Sequence, residues 1–154
     1  MLKVKLLAAS LCLVSGLSWA AEHTVHMKNR GEGGSMVFEP AVLHVNVGDT
    51  VHFVPSKPAH NSASVDGLLP EGATPWKGGM SEKVSVTMDK EGVYVYQCDP
   101  HSIMAMVGVV VAGKPVNLEQ IKSDSATLQA SFVMNKKRLG KYLAQLDQTV
   151  AQAN

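Results

Sequence analysis

The sequence predicts an all-β sandwich that continues into helices towards its C-terminus. Three observations predict this fold: short runs in which apolar and polar residues alternate, glycine-rich turns between them, and a different apolar spacing after residue 117. Alternation with a period of two places one face of a strand in a core, whereas steps of three and four are typical of helices. With 154 residues, the chain suits a single domain.

The first twenty residues are predicted to be a secretory signal peptide. Two lysines precede an apolar run from residue 6 to residue 17, and residues 18–20 supply the small-x-small pattern of a cleavage site. The run is too short to span a bilayer, so we expect no membrane anchor. The mature chain is then a single domain of residues 21–154.

The charge of the chain excludes one class of partner. The 14 basic and 13 acidic side chains give a net charge of +1, which becomes −1 once Lys3 and Lys5 are removed with the signal peptide. A chain so close to neutrality gives no support for nucleic-acid binding. Electrostatic steering has to come from local patches.

The predicted strands follow one another in short runs. The alternating runs cover residues 25–27, 43–47, 51–53, 84–88, 93–96 and 107–111. Turn signals separate them at residues 31–34, 47–49, 66–67, 77–79 and 91–92. Many short strands with glycine-rich turns favour a two-sheet sandwich of antiparallel strands.

The predicted helices begin at about residue 117. Asn117 is expected to cap a short helix over residues 118–122, and a longer helix is expected to begin between Asp124 and Asn135. We expect the longer helix to pack on the sandwich, although a helix that binds a partner or a membrane surface is the alternative. Its apolar stripe comprises Leu128, Phe132, Leu139, Tyr142, Leu143, Leu146 and Val150. Its exposed face is expected to carry Lys136, Lys137, Arg138 and Lys141.

Cysteine usage narrows the possible chemistry. Cleavage would remove Cys12 and leave Cys98 as the one cysteine of the mature chain. A lone thiol in an exported protein cannot form a disulfide within the chain. It is buried and inert, catalytic, joined to another chain, or bound to a metal ion.

The residues around this cysteine favour a metal ion. His101 follows Cys98 after two residues, Met106 follows after four more, and His60 lies in an upstream loop. Two imidazoles, a thiolate and a weak thioether form the blue-copper set, in which Met104 is the alternative thioether. A nucleophilic Cys98 would need an orienting acid and an oxyanion element, and the sequence shows neither. A copper chaperone would favour an open site rich in methionine and histidine, or a pair of cysteines. A closed set of four donors with one cysteine argues against that function.

At these residues the chain resembles the pseudoazurins, small cupredoxins of bacterial periplasms, from residue 21 to about residue 122. The matching stretches are residues 25–27, 36–41, 48–51, 60–61, 69–73, 92–94, 98–101, 104–106 and 117–121. The resemblance implies a Greek-key cupredoxin β-sandwich of eight strands with C-terminal α-helices. It also implies one type I copper on His60, Cys98, His101 and Met106, and so selects Met106 over Met104.

The resemblance implies a function as well. The protein would be a periplasmic electron carrier and not an enzyme, cycling between Cu(I) and Cu(II). It would exchange single electrons with cytochromes c and with copper-containing nitrite reductase or other denitrification reductases. We expect a monomer that forms transient complexes, with electrons passing through the exposed edge of His101. The apolar rim expected around that edge consists of Met36, Pro55, Pro100 and Met104.

Two features depart from the family pattern. Asp99 follows the predicted copper cysteine where an uncharged residue is expected, and Gln97 stands where a lysine could lie. The family carries a ring of lysines around its docking surface. This chain has that ring only in part, with Arg30, Lys57 and Lys77 as its candidates. Asn61 is predicted to hydrogen-bond to the Cys98 loop and to hold the two ligand loops in register.

Overall fold

The computed structural model describes residues 20–152. The predicted signal peptide, residues 1–20, lies outside this range except for Ala20. The side chains of residues 149–152, with that of Val150 from the predicted stripe, are outside the described part as well. Of the helices in the described range, none has the length and apolar character that a bilayer crossing requires.

The described chain forms eight strands and two α-helices. The strands are β1 (Glu22–Gly31), β2 (Gly34–Glu39), β3 (Val42–Val45), β4 (Thr50–Pro55), β5 (Ala63–Ser64), β6 (Val84–Thr87), β7 (Gly92–Gln97) and β8 (Val107–Ala112). A 3₁₀ helix, Asp99–Met104, joins β7 to β8. The helices α1 (Leu118–Ser131) and α2 (Arg138–Gln152) follow. The alternation did not predict β2 and β5, because β2 buries the neighbouring Val37 and Phe38 and β5 has only two residues.

The strands form two four-stranded sheets, which confirms the predicted sandwich. Sheet 1 has the order β2-β1-β4-β6, and sheet 2 has the order β3-β8-β7-β5. The expectation of purely antiparallel strands was wrong, because β1 pairs in parallel with β4 and β3 pairs in parallel with β8. In each parallel pair, the chain between the two strands passes through the other sheet. Turn signals in the sequence show where the chain turns but not that it crosses between sheets.

Sheet 2 is the middle layer of the molecule. All six residues of β8 are buried, and so are the first five of β7. Tyr94 and Tyr96 face the core between the sheets, whereas Val93 and Val95 face the helices. A strand buried on both faces has to be apolar on both faces, which explains the near-continuous apolar run of β8.

The helix boundaries differ from those predicted. The first helix extends to Ser131 instead of ending at residue 122, and the second begins at Arg138, after the predicted interval. The side chain of Asn117 makes no cap bond but pairs with the backbone of Val93. Ser125, within α1, is buried and donates to the carbonyl of Lys122.

The packing of the C-terminal stripe on the sandwich is confirmed. Phe132, Leu139, Leu143 and Leu146 are buried in the same cluster as the outer face of sheet 2. One expectation for this helix was wrong: Arg138 does not lie on the exposed basic face and is itself only 8% exposed.

Candidate metal centre

The loop between β7 and β8 brings three of the predicted ligands close along the chain. Cys98 follows directly after β7, and the 3₁₀ helix places His101 three residues on. The backbone N–H of Cys98 donates to the carbonyl of Met106 at 2.9 Å, and that of Met106 donates to the carbonyl of His101 at 3.2 Å. These bonds close the loop just before β8, so Met106 lies beside Cys98 in spite of the sequence separation.

His60 reaches the same place from the connection between β4 and β5. It is fully buried, and its Nε2 lies 2.7 Å from Oδ1 of Asn29 on β1. That oxygen can only accept, so Nε2 carries the proton and Nδ1 is left with a free lone pair. Asn29 was missed by the sequence analysis, because only the pairing of β1 with β4 brings it near His60.

The three ring and sulfur donors converge on one point. The Sγ of Cys98 lies 3.7 Å from Nδ1 of His60 and 3.4 Å from Nδ1 of His101. All three donor atoms lie within 4.8 Å of one another. A metal ion about 2.3 Å from sulfur and about 2.0 Å from nitrogen, with its ligands about 120° apart, would separate these atoms by roughly 3.7 Å. The three donor atoms are therefore spaced to bind one metal ion in a trigonal arrangement.

Burial sets the protonation of the two inner donors. Burial lowers the pKa of His60, and the neighbouring His101 lowers it further, which favours the neutral imidazole that a metal ligand requires. Burial raises the pKa of the Cys98 thiol and the charge of Asp99 adds to the rise, while the backbone N–H groups of Asn61 and His101 oppose it. A metal ion that binds the sulfur must therefore displace a proton.

Asn61 joins the two ligand loops, as predicted. Its Oδ1 accepts from the backbone N–H of Asp99 at 2.8 Å, and its Nδ2 donates to the Asp99 carboxylate at 3.0 Å. Asp99 also pairs with the exposed Lys77 at 3.2 Å and accepts from Gln97 at 3.3 Å. Burial raises the pKa of this carboxyl, but the bonds from Asn61, Lys77 and Gln97 outweigh that effect and lower it. The acid next to the cysteine is thus ionised and held in a network.

The two methionines of the loop occupy different environments. Met106 is fully buried in the core cluster that contains Cys98. Met104 is half-buried, and its carbonyl accepts from the side chain of Asn135 at 3.2 Å. The buried position suits Met106 as the thioether ligand, which stays a prediction.

The surface at the β7–β8 loop is apolar and includes side chains that were not predicted. His101, Met36, Pro55 and Met104 are half-buried, and Pro100 is exposed. The connection between α1 and α2 adds to this surface, because the backbone N–H groups of residues 133 and 134 donate to the carbonyl of Ile103. Sequence analysis missed this addition, since it depends on where the helices dock. The exposed apolar side chains there are Ile103, Val133 and Met134.

The remaining histidines lie elsewhere. His44 and His26 are exposed on strands, His23 bonds to Asp49, and His52 lies between Ser85 and Glu22. Within residues 20–152, the cluster of possible metal ligands found consists of His60, Cys98 and His101.

Known proteins resemble this chain over most of its length. A family model for copper-binding proteins of the plastocyanin/azurin family matches residues 25–113. A pseudoazurin of Paracoccus pantotrophus is 38% identical over 141 residues, covering 91% of this chain and 94% of the relative. A pseudoazurin of Methylorubrum extorquens is 44% identical over 105 residues, covering 68% and 71%. The crystal structure of the native pseudoazurin from Hyphomicrobium denitrificans superposes with a TM-score of 0.73 at 47% identity, covering 81% of this chain and 98% of that one.

Proposed function

The chain belongs to the pseudoazurins of the copper-binding plastocyanin/azurin family, and from that premise we propose that it carries single electrons between redox proteins of the periplasm. Members of this family are copper electron-transfer proteins and not enzymes. The observation that carries the proposal is the convergence of His60, Cys98 and His101 on one buried point at the end of the sandwich.

The proposed ligands are His60, Cys98, His101 and Met106. Copper held there supplies a one-electron couple between Cu(I) and Cu(II). The chain contributes a soft thiolate and thioether, which suit Cu(I), and two imidazoles, which serve both oxidation states. Because Asn29 orients His60, Asn61 ties the loops together, and the β7–β8 loop is closed by its own backbone bonds, the donors are held still. A site that moves little between oxidation states exchanges electrons rapidly.

His101 is the proposed path for the electron. His60, Cys98 and Met106 are fully buried, whereas His101 is half-buried at the surface. The apolar surface around it, with Pro100 and Ile103 exposed, suits a small interface that forms and separates quickly.

Positive charge near this surface favours acidic partners. Arg30, Lys57 and Lys77 are exposed, and Lys136 and Lys137 lie in the α1–α2 connection beside it. We propose cytochromes c and copper-containing nitrite reductase or other denitrification reductases as partners, on the strength of the family. Lys77 is partly neutralised by Asp99, so the steering should depend less on this lysine than on the others.

Electron exchange with cytochrome c tests the docking surface. Ile103 is 55% exposed within the β7–β8 loop, and Val116 is 66% exposed beyond the other end of β8. Ile103→Glu should slow stopped-flow electron exchange about tenfold, because a charge must be buried at the interface. Val116→Glu, the matched control, should leave the rate nearly unchanged. Equal rates for the two variants would show that partners do not dock at this surface.

Export is a separate part of the proposal. The signal peptide of residues 1–20 predicts a mature chain that begins at Ala21. N-terminal sequencing of the protein recovered from the periplasmic fraction should read Ala-Glu-His. Recovery of the chain with residues 1–20 attached in the cytoplasm would overturn this part and leave the electron-transfer proposal intact.

A further inference from the structure

Arg138, the first residue of α2, has an unusual environment for a charged side chain. It is only 8% exposed, and no carboxylate pairs with it among the ion pairs of residues 20–152. A buried cation needs compensating hydrogen bonds, since removing it from water is costly. Backbone carbonyl groups supply them here.

The guanidinium donates to carbonyl oxygens of two separate segments. Nη1 lies 2.9 Å from the carbonyl of Met36 and 2.9 Å from that of Ala105, with a weaker contact of 3.5 Å to Met104. Nη2 lies 3.2 Å from the carbonyl of Gly33 and 3.1 Å from that of Ser35. One side chain of α2 therefore joins the β1–β2 hairpin to the ligand loop.

The two carbonyls closest to Nη1 belong to residues with unusual backbone conformations. Met36 has φ 48° and Ala105 has φ 56°, both in the left-handed region that residues other than glycine avoid. Such conformations persist when surrounding interactions hold them. Charge-assisted bonds from Arg138 to both carbonyls are suited to this role.

Ala105 immediately precedes Met106, the proposed thioether ligand. The carbonyl of Ala105 and the N–H of Met106 belong to one planar peptide group, so fixing the carbonyl also orients the N–H. That N–H donates to the carbonyl of His101, another proposed ligand. Arg138 therefore holds the peptide group that joins Ala105 to Met106, and the same peptide group bonds to His101.

We propose that Arg138 is a positioning residue that fixes the Ala105–Met106 peptide and thereby sets the place of Met106 at the copper. This inference rests on the proposed function, and it gives the C-terminal helices a part in tuning the site. The planar fork of arginine suits this arrangement, because Nη1 bonds to the carbonyls of Met36 and Ala105 while Nη2 bonds to two further carbonyls of the hairpin. A lysine, with three N–H donors on one nitrogen, cannot bond to all four carbonyls.

The experiment compares Arg138→Lys and Arg138→Met with Lys141→Met. The last variant removes a charge from an exposed residue one turn along the same helix and serves as the matched control. Amide hydrogen exchange over residues 102–107 is measured on the purified protein before copper is added. The absorption and EPR spectra and the reduction potential are then measured with copper.

Arg138→Met is expected to raise exchange at residues 102–107 about tenfold relative to the interior of β7. It is expected to shift the Cu(I)/Cu(II) ratio at fixed potential by about tenfold, which equals about 59 mV for one electron. Arg138→Lys should retain the charge yet still raise exchange and alter the spectra, to a smaller extent. Lys141→Met should match the wild type in every measurement.

Two results would overturn the inference. If both Arg138 variants lose stability while exchange at the loop, spectra and potential stay at wild-type values, Arg138 is structural only. If Arg138→Lys matches the wild type in every measurement, a positive charge at this place is sufficient, and the fork of hydrogen bonds does not position the ligand loop. Should Arg138→Met fail to fold, Arg138→Lys decides alone. A wild type without a thiolate–copper spectrum would contradict the proposed function, while the exchange data would still decide whether Arg138 holds the loop.

Discussion

His60 and His101 both place Nδ1 near the Sγ of Cys98, but the two rings have different surroundings. His60 is fully buried and held by Asn29, whereas His101 lies half-buried at the surface. Under the proposed function, the first would hold its place with little motion, and the second would transmit the electron. This division of roles depends on burial and could not be read from the residue types.

The thioether assignment gives a prediction at the residue scale. Met106→Gln should keep a coloured copper site but lower the potential by roughly 60–120 mV, a ten- to hundredfold change in the Cu(I)/Cu(II) ratio, because an amide oxygen favours Cu(II) more than a thioether does. Met104→Gln, at the half-buried neighbour, is the control and should shift the potential far less. Cyclic voltammetry measures both. A large shift for Met104→Gln alone would make Met104 the ligand.

Asn61 supports a second prediction. Asn61→Ala removes the acceptor for the backbone N–H of Asp99 and leaves it without that partner near the protein interior. The free energy of unfolding should fall by about 1–3 kcal/mol. Asn46→Ala, at an exposed turn, should change it by less than about 0.5 kcal/mol. Urea unfolding of both variants measures the difference, and equal values would refute the bridging role of Asn61.

The metal-ligand cluster and the residues that support it were predictable from the sequence only in part. Cys98 and His101 meet because they are three residues apart in one helical turn, and their spacing shows this directly. Asn29 and Arg138 could not be predicted, since their partners lie on segments that only the tertiary fold brings near. The arginine was expected in solvent because isolated charged residues usually are.

At the scale of elements, strands were easier to predict than helix ends. The alternation of β4 and β6 follows from one buried face, and both were recognised. The end of α1 is set by the docking of Phe132, whose backbone is extended, and the turn before α2 needs Asn135 at φ 53°. Packing decides such boundaries, and local propensity is a weak guide to them.

The docking of α2 predicts a stability effect. Leu143 is 2% exposed in the cluster between sheet 2 and the helices. Leu143→Ala should lower the free energy of unfolding by about 2–5 kcal/mol, from lost burial and the cavity left behind. Val133→Ala, at a side chain 68% exposed, should change it by less than about 0.5 kcal/mol. Denaturant titration measures both. A cost below about 1 kcal/mol for Leu143→Ala would mean that α2 is not firmly docked.

The connection from β3 to β4 predicts a dependence on pH. Asp49 is 2% exposed and accepts from the backbone N–H groups of Ala21 and Asn46, at 2.8 and 2.9 Å, and it pairs with His23 at 2.9 Å. The bond with His23, followed by the backbone bonds, lowers the pKa of Asp49 to about 2 from an ordinary value of 3.8. A carboxyl whose pKa is lower in the folded state stabilises the fold above its unfolded pKa, and this contribution is lost as the pH falls towards 2.

Asp49→Asn should therefore destabilise the protein most near neutral pH. The gap in melting temperature between wild type and variant should be full at pH 7, begin to narrow below about pH 4, and be smallest near pH 2. Asp66→Asn, at an exposed carboxylate, provides the control. Thermal unfolding at these pH values measures the gap. A gap that stays constant with pH would contradict the assigned ionisation of Asp49.

At the scale of the whole molecule, the site lies at one end of a three-layer structure. Sheet 2 is packed between sheet 1 and the helices, so β7 and β8, which flank the ligand loop, are supported on both faces. His60 comes from the same end, and Arg138 connects the outer helical layer to the loop. The fold thus holds the donors from several directions, which is what a site that changes charge without moving requires.

The absorption and EPR spectrum of the mature protein loaded with Cu(II) tests the central claim most directly. We predict an intense visible band from charge transfer between the Cys98 thiolate and copper, and its complete loss in Cys98→Ser. Reversible bleaching on reduction should accompany the band. A pale copper complex, or a spectrum unchanged by Cys98→Ser, would contradict the account.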